Sequence, residues 1–195
     1  MSAAREAIKG TGRLAATIVM APALLSFFVR AALFGQQRAL LSSTQAIAWI
    51  PGLLGQYLRR AFLMRTLDYC APTAVIEWGT TIADARTTIG DHAYIGPSCH
   101  IGYARIAREV LIAPAVHIPS GGHSHGTDTI DAPLRDQAGA LECVRIGENT
   151  WIGAAAVVMA DVGAQTIVGA GAVVTSPLPD RVVAAGVPAR VLRAR

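Results

Sequence analysis

Cysteine is scarce. Cys70, Cys99 and Cys143 are an odd three at wide, unrelated spacings, which excludes a disulfide framework or a zinc finger and fits buried thiols in a reducing compartment. Charge is scarce as well: 15% of residues are charged against 52% hydrophobic, so the chain is not disordered, and its surface is more apolar than that of an ordinary soluble protein. Acids are nearly missing from the first third. Residues 1–66 hold eight basic residues and the single acid Glu6, whereas nine arginines face twelve acids from Leu67 onward. The net charge of +4 therefore belongs to the N-terminal third. No reader motif accompanies those basic residues, so nucleic acid is not an expected partner. Histidine is rare too, five in 195 residues, yet two of the five stand in "GGHSHG" as His123 and His125.

The length suits one domain with a sizeable extension, and two regions follow different rules. From Leu14 to Val29 sixteen residues pass without a charge, short of the roughly 20 a spanning helix needs; Pro22 would kink a helix in the middle. Basic residues ahead of an apolar run also give this stretch the order of a secretory signal. The next stretch reads as helices broken near Gly35, Ser42–Ser43 and Pro51–Gly52. In its last piece Leu54, Tyr57, Leu58, Phe62 and Leu63 share a face, with Arg59 and Arg60 off it. Residues 1–70 are thus expected to be a helical, apolar and basic region. It either packs within the protein or against a sister subunit, or lies on an anionic membrane surface.

Beyond Cys70 the pattern changes. Aliphatic residues recur at Ile76, Ile82, Ile89, Ile95, Ile101, Ile106, Ile112 and Ile118, and again at Ile146, Ile152, Val158, Val168 and Val174. Most steps are of six. Neither an α-helix nor a half-buried strand has that period, and the repeat predicts a β-helix over residues 71–195, in which stacked coils bury one another's aliphatic side chains. Glycine follows many of these residues, and conformational freedom at the corners is the expected reason. Residues 119–144 break the repeat and read as an extruded loop. Long loops in compact repeats are usually functional, and this one carries His123, His125, Asp128, Asp131, Arg135 and Asp136. His123, His125 and Asp128 also have the donor atoms for a metal, but no further cluster completes a first shell, and no metal is expected.

"VLIAPAVHIPSGGH" (Val110 to His123) and "RIGENTWIGAAAVVMADVGAQTIVGAGAVVTSPLPDRVVAAGVPARVLR" (Arg145 to Arg193) resemble the hexapeptide-repeat acyltransferases, above all the galactoside, maltose and exopolysaccharide O-acetyltransferases. The resemblance covers roughly residues 72 to 193. It implies an all-β left-handed parallel β-helix assembled as a homotrimer, with acetyl-CoA or another acyl-CoA in a cleft between subunits. It puts the family's catalytic histidine at His123, while relatives whose loop histidine precedes glycine would put it at His125. The implied cofactor contacts fall on Ala154, Ala170, Thr175 and Arg193. Ser176 stands where the sugar enzymes often have lysine, a loss that Arg190 and Arg195 could offset. The family's acceptor-positioning asparagine has no match between Tyr94 and Tyr103.

The function so implied is O-acyl transfer, most simply O-acetyl transfer, to a sugar hydroxyl of a carbohydrate, glycolipid or exopolysaccharide precursor. An imidazole suits the removal of the hydroxyl proton. The expected location is the cytoplasm, peripheral on the inner face of the membrane where the N-terminal region lies on lipid rather than packing within the protein. Two alternatives stay open: a non-catalytic scaffold, and a metal-dependent enzyme of the β-helical carbonic anhydrase type.

Overall fold

The computed structural model describes residues 3–127 and 129–195, with side chains from residue 10 onward. Three helices, α1 (Ala3–Phe34), α2 (Gln36–Ala48) and α3 (Gly52–Thr66), precede a parallel β-solenoid of about six coils. Pro22 lies inside α1 without ending it. The break expected at Ser42–Ser43 is also absent: both residues sit within α2, where their hydroxyls donate to the carbonyls of Arg38 and Ala39 and receive the Arg30 guanidinium. The chain does break at Gly35, whose φ is +90°, and ahead of Gly52 at +68°.

Each coil lays one short strand on each of three sheets. The first sheet holds β1 (Tyr69–Cys70), β4 (Thr88–Ile89), β7 (Ala104–Ile106) and β10 (Val144–Ile146), extended by bridges at Val162 and Leu178. The second stacks β2 (Val75–Ile76), β5 (Tyr94–Ile95), β8 (Leu111–Ile112), β11 (Trp151–Ile152), β13 (Ile167–Val168) and β15 (Val182–Ala185), and is closed by the antiparallel β16 (Arg190–Ala194). The third stacks β3 (Thr81–Ile82), β6 (His100–Ile101), β9 (His117–Ile118), β12 (Val157–Val158) and β14 (Val173–Val174). The in-register neighbours Ile76, Ile95 and Ile112 are each fully buried, and every aliphatic residue of the repeat is at most 2% exposed. The ten-residue step from Val158 to Val168 conceals a further inward residue, Val162, 2% exposed. Its corner is shortened to four residues, which hides it from a count of sixes.

The repeat glycines are needed for space rather than for conformation. A Cβ on Gly90 would lie 2.6 Å from the Arg108 nitrogen of the next coil, and one on Gly96 would lie 2.8 Å from the Ala113 carbonyl carbon. Neither glycine has positive φ; the left-handed corner residues are instead Glu109, Ala115, Asn149, Ala155, Gln165 and others. Buried threonines stitch the corners: the Thr80 hydroxyl donates to the Gly96 carbonyl and Thr150 to Gly163, so these polar groups are satisfied inside.

A solenoid leaves an open edge at its first coil, a template for unwanted pairing. The helices cover it. Thr44 donates to the Ile82 carbonyl at 3.0 Å, and the Gly79 N–H donates to the Ala48 carbonyl. Arg59 and Arg60 do not sit off the packed face of α3, as the sequence suggested, but are 1% and 7% exposed. Arg59 donates to the carbonyls of Ile76 at 2.9 Å and Ile50 at 2.6 Å, and Arg60 to Ala74 while stacking over the Tyr57 ring. Burial lowers the pKa of both. Two of the region's cations therefore bind backbone carbonyls rather than face outward. On α1, Ala16, Met20, Leu24 and Phe27 pack inward, and Phe27 meets Phe62 of α3 edge to face.

Candidate functional site

The chain leaves the solenoid after Ile118 on the third sheet and returns at Val144 on the first, so the extruded segment springs from one corner of the prism. It is a two-legged arm with its own bonding. Glu142 N–H donates to the Ser120 carbonyl and Ala140 N–H to that of His123, both at 2.8 Å, while Gln137 ties Thr129 and Ala132 together at the tip. Ser120 fixes the base, its hydroxyl accepting from the Tyr103 N–H at 2.7 Å. Gly121 combines φ of +87° with a Glu142 Cβ 2.7 Å from where its own would stand, so only glycine lets the two legs close here.

That closure brings the Glu142 carboxylate to 3.4 Å from His123 Nδ1. The two residues share a cleft of about 560 Å³ with Gly122, Cys143, Met159 and Thr175. Arg145 and Asp161 make its floor, the Arg145 backbone N–H donating to Asp161 at 2.8 Å and the guanidinium pairing with it at 3.2 Å. His125 is exposed on the arm and is not among the cleft's lining residues. A second cavity of about 290 Å³ opens on the other side of the arm's base, lined by Gln37, Arg38, Ala83, Asp84, Ser120 and Leu141. Burial works against ionisation of Asp84, but the hydrogen bonds and charge of Arg86, with a bond from Gln37, hold its carboxyl below the usual range.

The remaining residues picked out in the sequence lie elsewhere. Ala154 and Ala170 stack on the corner between the second and third sheets, and the Gly171 N–H donates to the Ala154 carbonyl. Arg193 is on β16 with Arg190, at the far edge of the second sheet, and Arg195 donates to the Gln165 carbonyl. Thr175 alone of the four implied cofactor contacts shares the His123 cleft. Trp151 points outward, 51% exposed, and His100 and His117 neighbour each other on the outer face of the third sheet. Cys70 and Cys99 are buried as expected; Cys143 is half-buried and lines the cleft instead. Asp128 lies outside the described residues, and among those described no three histidine, cysteine or acidic groups gather around a metal-sized space. Sequence reading missed Glu142. Its partnership with His123 comes from pairing of the arm's legs, which no spacing announces.

No family model matches the chain. It is 32% identical over 168 residues to the galactoside O-acetyltransferase of Escherichia coli (strain K12), a match spanning 73% of this chain and 80% of that protein. Among solved structures it resembles a maltose O-acetyltransferase from Clostridium difficile 630, with a TM-score of 0.65 at 23% identity over 83% of this chain and 88% of that one. A hexapeptide-repeat acetyltransferase from Vibrio cholerae O1 biovar eltor, complexed with acetyl coenzyme A, gives a TM-score of 0.65 at 22% identity over 84% and 87% of the two chains. The six-residue repeat, the arm at the solenoid corner and the identity to the Escherichia coli enzyme agree: the chain belongs to the hexapeptide-repeat acetyltransferases and is an acetyl-CoA-dependent acyltransferase.

Proposed function

We propose that the protein transfers an acetyl group from acetyl-CoA to a sugar hydroxyl, with His123 as general base and a homotrimer as the working unit. One observation carries the reading: His123, with a carboxylate on its Nδ1 side, lines the same cleft as Thr175. When bound, acetyl-CoA supplies an activated thioester; the cleft and the small residues Ala154 and Ala170 offer room for its pantetheine arm, Thr175 a hydroxyl, and Arg193 a guanidinium suited to a phosphate.

In this reading Glu142 holds a proton on Nδ1 and leaves Nε2 free to take the hydroxyl proton as the acceptor oxygen attacks. Glu142 acts through His123 and is a positioning residue. His125, outside the cleft, has no part in this scheme.

Two features favour assembly. Within one chain Ala154, Ala170 and Arg193 lie on other parts of the prism from His123, so a single site using all of them needs a neighbouring copy. The arm also holds out apolar side chains, Ile130 at 101% and Leu134 at 60% exposure, which a neighbour would cover. The acceptor is taken to be a carbohydrate, glycolipid or exopolysaccharide precursor, reached from the cytoplasmic leaflet. Gly10–Phe34 is long and apolar enough to cross a membrane, but one face of α1 packs on α2 and α3, which favours lying on the leaflet over spanning it.

The test is radiolabelled acetyl transfer to a panel of maltose, galactosides and amino sugars, with products read by mass spectrometry. Base-labile O-acetyl sugar is the expected product. Transfer to amines alone, or to no sugar in the panel, would overturn the assignment.

A further inference from the structure

Three guanidiniums converge far from the reaction cleft. Arg13 of α1 and Arg60 and Arg65 of α3 line a cavity of about 260 Å³ with Leu14, Tyr57 and Met64. Among the described residues none of the three meets a carboxylate. Arg60 donates to the Ala74 carbonyl and Arg65 to the Ala61 carbonyl, while Arg13 Nε is buried without any hydrogen-bond partner. Burial, and next the like charge of Arg13, lowers the pKa of Arg60. Like charges gathered around a cavity with an unmet N–H cost free energy that an anion would return.

The surroundings narrow the class of anion. Leu14 lines the cavity and also begins an outward apolar stripe on α1, continued by Ile18, Leu25, Val29 and Leu33, each at least 51% exposed. A ligand filling the cavity and covering the stripe joins an anionic group to alkyl chains, and a phosphate, with several acceptor oxygens, suits a cluster of guanidiniums. A soluble phosphate leaves the stripe bare, and a second copy docking by apolar contact leaves the guanidiniums unmet.

We propose that this cavity binds the phosphate of an anionic membrane lipid, with the outward stripe of α1 lying among the acyl chains. The proposal rests on the placement of the N-terminal region at a membrane leaflet. It gives the enzyme a fixed attitude there: the helices face the bilayer and the solenoid, stacked on them, projects toward the donor in solution.

The test uses the full chain, floated with vesicles of phosphatidylcholine alone or mixed with phosphatidylglycerol. Wild type should float with the mixed vesicles and much less with phosphatidylcholine. The double variant Arg13→Gln, Arg65→Gln should lose about tenfold or more of that binding, with an unchanged unfolding temperature as the check on folding. Equal flotation on both vesicles, or mixed-vesicle binding by the double variant equal to wild type, would overturn the site. So would displacement of wild type by glycerol phosphate at matched phosphate concentration, the signature of a site for free anions. Wild-type transfer to a soluble sugar, measured in parallel, is independent of lipid: transfer without flotation sinks the lipid site alone, and flotation without transfer sinks the sugar-acceptor reading alone.

Discussion

Gly90→Ala adds one methyl group in a narrow gap between two coils. Its carbon would stand 2.6 Å from the Arg108 nitrogen, 2.7 Å from the Ala107 carbonyl carbon and 3.0 Å from the Ala107 oxygen. All three are backbone atoms, so no side chain can rotate away. Relief to ordinary van der Waals contact requires the coils to part by roughly 0.8 Å or more, from a strand spacing of about 4.8 Å. The Gly90 N–H bond to the Ile106 carbonyl, now 2.9 Å, would stretch beyond use. Overpacking costs about 1–3 kcal/mol and the lost bond about 1 kcal/mol. The sum, about 2–4 kcal/mol, corresponds to a fall in Tm of roughly 5–15 °C for a chain of this size. Differential scanning calorimetry reads it, with Gly10→Ala as the control: that position has nothing within 4 Å of the added carbon, and alanine there should be neutral or stabilising by up to about 1 kcal/mol, as in any helix interior. A Gly90→Ala protein melting within 2 °C of wild type would refute the claim that the repeat glycines serve coil spacing.

Arg59→Lys should fail to rescue the loss caused by Arg59→Ala, about 2–6 kcal/mol by urea denaturation, because a single ammonium cannot reach both the Ile76 and Ile50 carbonyls. His100 has its pKa lowered by burial and then by the charge of His117, and its Nδ1 meets the Thr81 hydroxyl at 2.8 Å. Its folded pKa lies below the unfolded value of about 6.5, so the unfolded chain binds the proton more readily; this residue's contribution to stability is intact above that pH and is lost as pH falls below it. His100→Gln should accordingly flatten the decline in Tm between pH 7 and pH 5. A maleimide should label Cys143 in the native protein well ahead of Cys70, whose thiol burial pushes up to about 12, and of buried Cys99. Acetyl-CoA should slow that labelling, and peptide mass spectrometry would show it.

The solenoid was legible because its physics is periodic: one aliphatic residue per strand must face inward, so Ile89, Ile95 and Ile101 announce themselves by spacing alone. Val162 escaped because its corner is shortened, which shifts the phase without altering the fold. The glycines were seen but given the wrong reason, since contact with the next coil cannot be read from a single strand, whereas a turn can. In the helical region Arg59 and Arg60 were misplaced. Charge usually means surface, and nothing local says that the first coil offers unpaired carbonyls needing donors. The arm's position was clear from the interruption of the repeat, and family resemblance offered His123 and His125; the approach of Glu142 to His123 was hidden, because it depends on how Gly121 lets two legs of a hairpin-like arm approach.

The proposed role of His123 is tested most directly by acetyl-CoA turnover, followed as thiol release in the presence of a sugar acceptor, for wild type, His123→Ala and His125→Ala. His123→Ala should lose about 10²–10⁴-fold in rate, and His125→Ala should stay within a few-fold of wild type, because only the first side chain lines the cleft beside Glu142 and Thr175. A silent His125→Ala beside an active His123→Ala would contradict the account.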